Sequence, residues 1–139
     1  MIELKDITLS NTNRTFSNLS SIPIVPCLGS VQDSDLLKHL LHDHQINTVY
    51  HAAAYKHVTL VEENPLQGLI NNALGTQLLV EKCIEADVRS FVLISTDKAV
   101  RPTSVMGASK RIAEMIVQDA ARRFPGKKMG IVRFGNVLD

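Results

Sequence analysis

Ser95-Thr96-Asp97-Lys98 sets two hydroxyls, a carboxylate and an ammonium directly after the apolar run Phe91-Val92-Leu93-Ile94. Open α/β sheets bind their ligands outside the carboxyl ends of their strands, so chemistry is expected there. Met106-Gly107-Ala108-Ser109-Lys110 follows with helical periodicity, which sets Met106 and Lys110 one turn apart on one face. A thioether neither donates nor accepts a catalytic proton, so acid–base work falls to Asp97 and the lysines. Taken by themselves, Asp97 and Lys98 also fit an ordinary strand-end ion pair.

The elements that must position this loop alternate along the chain. Residues 1–21 are poorly defined: a loose alternation over Met1–Leu9 gives way to a Ser-, Asn- and Thr-rich stretch. Ile22–Leu28 is predicted as a strand that Pro23 and Pro26 restrict to an edge or a strand start. Asp33 or Ser34 caps a helix to about His44, with Leu36, Leu37, Leu40 and Leu41 inward. A strand over 46–54 ends in Ala52-Ala53-Ala54. Asn64 as cap and Pro65 at the first helical position open a helix to about Ala86. Its inward candidates are Leu66, Leu69, Ile70, Ala73, Leu74, Leu78 and Ile84. A strand over 88–95 and a helix from Thr103 or Ser104 to about Phe124 precede a last strand over 129–134. This alternation predicts an α/β fold with a parallel sheet, in one domain over 1–139.

Composition excludes several classes. Fifteen basic against 14 acidic side chains leave a formal charge of +1, no electrostatic case for nucleic acid or an anionic membrane. The apolar runs fall well short of the roughly 18 residues of a membrane span, and no signal peptide opens the chain, so a cytoplasmic location is expected. Cys27 and Cys83 are far apart and outside any C-x-x-C spacing, and are expected as buried free thiols. His39, His42 and His44 suit a solvated helix end better than a metal site, since His42 and His44 do not share a face. His51 is expected as a packed strand residue, and Arg122-Arg123 with Lys127-Lys128 as a solvated helix end.

From about Ile22 onward the sequence resembles the extended short-chain dehydrogenase/reductase superfamily, and within it the UDP-N-acetylglucosamine 4,6-dehydratases of bacterial surface polysaccharide biosynthesis (capsule and O-antigen). The resemblance is carried by Val49-Tyr50-His51-Ala52-Ala53-Ala54-Tyr55-Lys56-His57-Val58, Glu62-Glu63-Asn64-Pro65 and Asn71-Asn72-Ala73-Leu74-Gly75-Thr76. It continues through Leu93 to Val100, Met106 to Arg111, and Arg133-Phe134-Gly135-Asn136-Val137-Leu138. Three departures accompany it. The glycine-rich turn that holds a cofactor pyrophosphate has no counterpart. Ser30, in Gly29-Ser30-Val31-Gln32-Asp33, stands where the family usually has an acidic residue, and Asp139 where it usually has Gly. The resemblance therefore implies a partial Rossmann-like, doubly wound sheet without its first strands and its substrate lobe, expected to be inactive alone.

In the reaction this resemblance implies, hydride leaves sugar carbon 4 for NADP or NAD, and the resulting ketone acidifies the proton on carbon 5. A base takes that proton while an acid protonates the carbon-6 hydroxyl, which leaves as water; hydride then returns to carbon 6. Asp97 would be the acid, its carboxyl raised by desolvation, and Lys98 the base, lowered by burial or by Lys110. Thr96 or Ser95 would hydrogen-bond the carbon-4 oxygen. Lys110 would hold the nicotinamide ribose, and Met106 occupies the position of the family's usual tyrosine. Ser30, Val31, Ala52, Ala53, Ala54, Asn72 and Ser95 complete the cofactor side. The implied partner is a UDP-N-acetylglucosamine-type nucleotide sugar.

The superfamily's strand order 3-2-1-4-5-6 would leave a gap beside the strand over 46–54. Either the Ile22–Leu28 strand crosses to fill it or that edge stays open. An open parallel edge invites a second copy of the chain, so dimerisation, or partial disorder of residues 1–30, is expected. The other readings are a non-catalytic α/β module that binds a nucleotide or a partner chain, and an intact short reductase.

Overall fold

The computed structural model describes the backbone of residues 3–4 and residues 25–135. Two short strands, β1 (Glu3–Leu4) and β2 (Cys27–Leu28), pair antiparallel with each other, away from the main sheet. Residues 22–24 of the predicted first strand lie outside the described residues. Helix α1 (Ser34–Asp43) follows, with Asp33 as its cap: the carboxylate accepts from the Leu36 amide at 3.0 Å.

The main sheet is built from β3 (Thr48–His51), β4 (Ser90–Thr96) and β5 (Lys128–Phe134), all parallel, with β4 in the centre. The predicted α/β alternation is thus present, while the gap beside β3 stays open. Among the described residues nothing pairs with the outer edge of β3, and β2 does not cross to it. Along β4, Phe91, Leu93 and Ser95 are buried while their neighbours are half-buried, the period-2 pattern of a strand. Phe91 and Leu93 join Val49, Leu79, Val80, Cys83, Ala113 and Val117 in one core. The opposite face carries Tyr50, Val132 and Phe134, all exposed.

Between β3 and β4 run α2 (Val58–Glu63), α3 (Pro65–Leu69), one π-helical turn (Ile70–Leu74) and α4 (Gly75–Glu85). Helix α2 has no counterpart in the sequence pattern, because Val58, Thr59 and Val61 are β-branched. Val61 anchors it, 3% exposed and seated over Gly68. Pro65 holds the first helical position as expected. Asn64 makes no side-chain cap, because its amide donates back to Leu60 O at 3.0 Å. The π turn adds a residue to the helix and rotates the inner face, so Asn71, Asn72, Gly75 and Thr76 are buried. Leu66 and Leu74, predicted inward, are 71% and 56% exposed.

Helices α1 and α4 end alike. Gln45 (φ 49°) and Asp87 (φ 55°) are left-handed, and the next residues, Ile46 and Val88, bond back to Leu41 O and Cys83 O. Lys127, expected in solvent, ties this second end to the sheet by donating to Asp87 Oδ1 (2.8 Å) and Val88 O (3.0 Å). Arg122 and Arg123 pair with Asp119, and Cys83 is a buried thiol pushed up to about 12 by burial, while Cys27 is half-buried. Helix α5 (Val105–Arg123) links β4 to β5, capped by Ser104 Oγ on the Gly107 amide at 3.1 Å. Among the described residues no helix is long and apolar enough to cross a membrane.

Candidate functional site

Thr96 ends β4 and caps a single 3-10 turn, Asp97–Ala99, which presents the acid and the lysine. The Thr96 hydroxyl donates to Asp97 Oδ1 at 2.9 Å and accepts the Lys98 amide at 3.4 Å. Helix α5 lies so close that a Cβ on Gly107 would stand 2.6 Å from Lys98 O, which explains glycine at this position. The Asp97 and Lys98 side chains are 59% and 47% exposed, with Lys98 Nζ 3.7 Å from Asp97 Oδ1. This corrects the expectation that burial tunes both groups. The Thr96 hydrogen bond, and after it the Lys98 charge, hold the Asp97 carboxyl below its usual range, so Asp97 is ionised at neutral pH.

Ser95 turns to the helix side of the sheet and donates to Glu114 Oε1 at 2.7 Å. That proton is therefore committed inward, and only the oxygen's remaining lone pairs are open to a ligand. Lys110 is 6% exposed and donates to Ile94 O at 2.7 Å. Burial lowers it to about 8, against which the Glu114 charge raises it. Met106, 4% exposed, is packed in the first turn of α5 and does not face solvent.

On the β3 side, the chain leaves the sheet after His51, and four residues on, Asn72 holds the backbone at Tyr55. Asn72 Oδ1 accepts from Tyr55 N at 2.7 Å and Nδ2 donates to Tyr55 O at 3.0 Å and Ser109 Oγ at 2.9 Å. The strand is shorter than the predicted 46–54. Asn72 thereby joins the Ala52–Ala54 loop to the start of α5, and Asn71 extends the network to Gln32 at 3.1 Å. His51 is 2% exposed, its Nε2 2.9 Å from Thr76 Oγ1. Thr76 spends its own proton on Asn72 O at 2.7 Å, so His51 is the donor, with its proton on Nε2. Burial, and then Lys110, lower His51 to about 3, which keeps it neutral.

Ala52, Ala53 and Ala54 line a groove of about 690 Å³, walled by Lys56, His57 and the apolar Leu60 and Val61. Thr96, Asp97 and Lys98 are not among its lining residues: the groove follows β3 and the loop follows β4, its parallel neighbour. Ser30 is half-buried, its oxygen accepting the Gln32 amide at 3.1 Å. Val31 is fully buried, 3.1 Å from where a Cβ on Gly75 would be. Val31, expected on the cofactor side, therefore has no exposed surface here.

Sequence reasoning missed Glu114, which is 0% exposed yet charged. Its carboxylate accepts from Ser95, from Arg111 Nη1 (2.9 Å), and from Arg133 Nε (2.8 Å) and Nη2 (2.7 Å). These bonds, Arg133 first, lower it to about 2. The signal was present: Glu114 stands four residues after Lys110, between Ala113 and Val117 on the apolar stripe of α5.

Other proteins carry related sequences. The chain is 44% identical over 126 residues to the capsular polysaccharide biosynthesis protein CapD of Staphylococcus aureus, covering 91% of this chain and 21% of that one. It is 34% identical over 127 residues to an inverting UDP-N-acetylglucosamine 4,6-dehydratase of Campylobacter jejuni, covering 86% and 37%. The dTDP-glucose 4,6-dehydratase DesIV of Streptomyces venezuelae, solved with NAD bound, superposes with a TM-score of 0.70 at 26% identity, over 76% of this chain and 36% of that one. The Rossmann-like fold class is therefore shared with these enzymes, and the chain spans about a fifth to under two fifths of their length. The polysaccharide biosynthesis protein family matches residues 2–139, and the chain belongs to it.

Proposed function

We propose that the chain supplies the catalytic loop of a nucleotide-sugar 4,6-dehydratase that converts UDP-N-acetylglucosamine to its 4-keto-6-deoxy product in the cytoplasm, for capsule or O-antigen assembly. The observation that carries this reading is the placement of Thr96-Asp97-Lys98 after β4 and of the Ala52–Ala54 groove after its parallel neighbour β3, with the buried Lys110 bonded to Ile94 O beside the loop. NADP or NAD, the hydride carrier of such a reaction, fits the small side chains of Ala52–Ala54 and an ammonium at Lys110. Lys98 removes the proton on carbon 5, and Asp97 protonates the carbon-6 hydroxyl as it leaves as water. A sugar covering Asp97 removes its solvent and raises its carboxyl, which turns an ionised strand-end residue into an acid. The C. jejuni relative supports the substrate, and DesIV supports the cofactor class.

The 139 residues are not expected to turn over the sugar unaided. One observation favours a binding-only role for the chain by itself: with no sugar covering it, Asp97 is ionised and holds no proton to give. Calorimetric titration with NADP(H) and NAD(H), followed by incubation with UDP-N-acetylglucosamine, tests both readings. Cofactor binding without product supports the binding module. A 4-keto-6-deoxy product that Lys98→Ala abolishes supports the enzyme, and no binding at millimolar cofactor counts against both. The bare edge of β3 supports a homo-oligomer formed by edge pairing, which a monomer in sedimentation at high concentration would refute.

A further inference from the structure

We propose that Glu114 is a positioning residue for the strand-end site: from α5, one buried carboxylate fixes Ser95 at the end of β4 and Arg133 at the end of β5, and bears on Lys110 one turn away. The proposal rests on the reading above only in calling the Ser95–Lys98 loop a site. Ser95 and Arg133 are register partners across β4 and β5, and Glu114 Oε1 accepts from both, at 2.7 and 2.8 Å. Lys110 grips the preceding carbonyl, Ile94 O, so α5 holds the end of β4 at two consecutive residues. The next residue is Thr96, whose hydroxyl caps the turn that carries Asp97 and Lys98. Any slack at Ser95 therefore passes directly into the loop.

The charge of Glu114 has a second consequence. The titratable and charged groups bearing on Lys110 are Glu114 on its own helix and the neutral His51 of β3, with Arg111 and Arg133 held on the Glu114 carboxylate. Burial drives Lys110 down, and Glu114 is the group that opposes it. Replacing the carboxylate with an amide of the same shape removes that opposition.

Two variants of the 139-residue chain separate these effects. Ser95→Ala removes only the loop's attachment and keeps both arginine pairs. It is expected to reduce hydrogen-exchange protection of the Val100 amide, which is bonded to Asp97 O, about tenfold relative to amides in the middle of α5. Glu114→Gln is expected to move the pH midpoint of the Lys110 side-chain NMR signal to lower pH. Unchanged loop protection in Ser95→Ala, or an unmoved Lys110 midpoint in a folded Glu114→Gln, overturns the proposal. Should Glu114→Gln not fold, the Ser95→Ala exchange result decides. Neither readout depends on activity, so a wild-type chain that binds no NADP or NAD sinks the functional reading while this test still returns its answer.

Discussion

Asn72 brackets the peptide group of a residue seventeen positions away: it accepts from Tyr55 N at 2.7 Å and donates to Tyr55 O at 3.0 Å. The side chain thus does for Tyr55, four residues beyond the end of β3, what a neighbouring strand would otherwise do. With Ser109 as its third contact, Asn72 makes the groove loop and the first turn of α5 one unit.

Asn72→Ala leaves the Tyr55 peptide without its partners, and is expected to cost about 2–3 kcal/mol in urea unfolding. Protection of the Tyr55 amide should fall with it. A loss well under 1 kcal/mol would show that the bracket is not what holds the loop.

His51 gives the fold an acid sensitivity whose sign follows from burial. Its folded value of about 3 lies below the ordinary 6.5, so the unfolded chain binds the extra proton between those limits. Stability from this group is complete above 6.5 and is lost as pH falls through 3. Between pH 6.5 and 5 the loss is about 2 kcal/mol. His51→Gln, which titrates nothing, should flatten the urea midpoint across that interval, and an unchanged slope would assign the sensitivity to other groups.

Glu114 adds a second, lower window. Its folded value of about 2 against 4.5 contributes stability that is present above 4.5 and lost toward 2. Below pH 4.5 wild type should therefore lose stability more steeply than Glu114→Gln, which keeps the His51 loss, as read by acid titration of near-UV circular dichroism.

Gly107→Ala would push a methyl group to 2.6 Å from Lys98 O, a backbone atom that yields only if the Asp97–Ala99 turn moves. Overpacking of this kind costs about 1–3 kcal/mol. Chemical shifts of Asp97 and Lys98 should move with it, while those of the β3–β4 ladder should not.

Gln45 carries the opposite expectation. At φ 49° a side chain is strained where glycine is not, so Gln45→Gly should raise stability by about 1 kcal/mol. A thermal midpoint that falls would mean that the Gln45 side chain contributes more than the backbone strain costs.

What the sequence by itself determined is local and periodic. The burial alternation of β4, the caps at Asp33 and Ser104, Pro65 at a helix start and the breaks before and after α5 each depend on a few adjacent residues, so they are readable in order. The 3-10 turn that presents Asp97 and Lys98 falls where an apolar strand meets polar residues, which is why the candidate loop was legible. Only the tertiary structure decided what lies around it. Glu62 reaches 43 positions along the chain to accept the Val105 amide at 2.6 Å, helping to hold α2, a helix of β-branched residues that local propensity disfavours. The π turn that rotates Asn71 and Asn72 inward is fixed by Gln32, Tyr55 and Ser109, none of them nearby in sequence. Lys110 is buried and Ser95 is turned toward Glu114 because of how α5 and β5 pack beside β4. Protonation and hydrogen-bond direction are properties of an environment, and that environment exists only once the strands have paired.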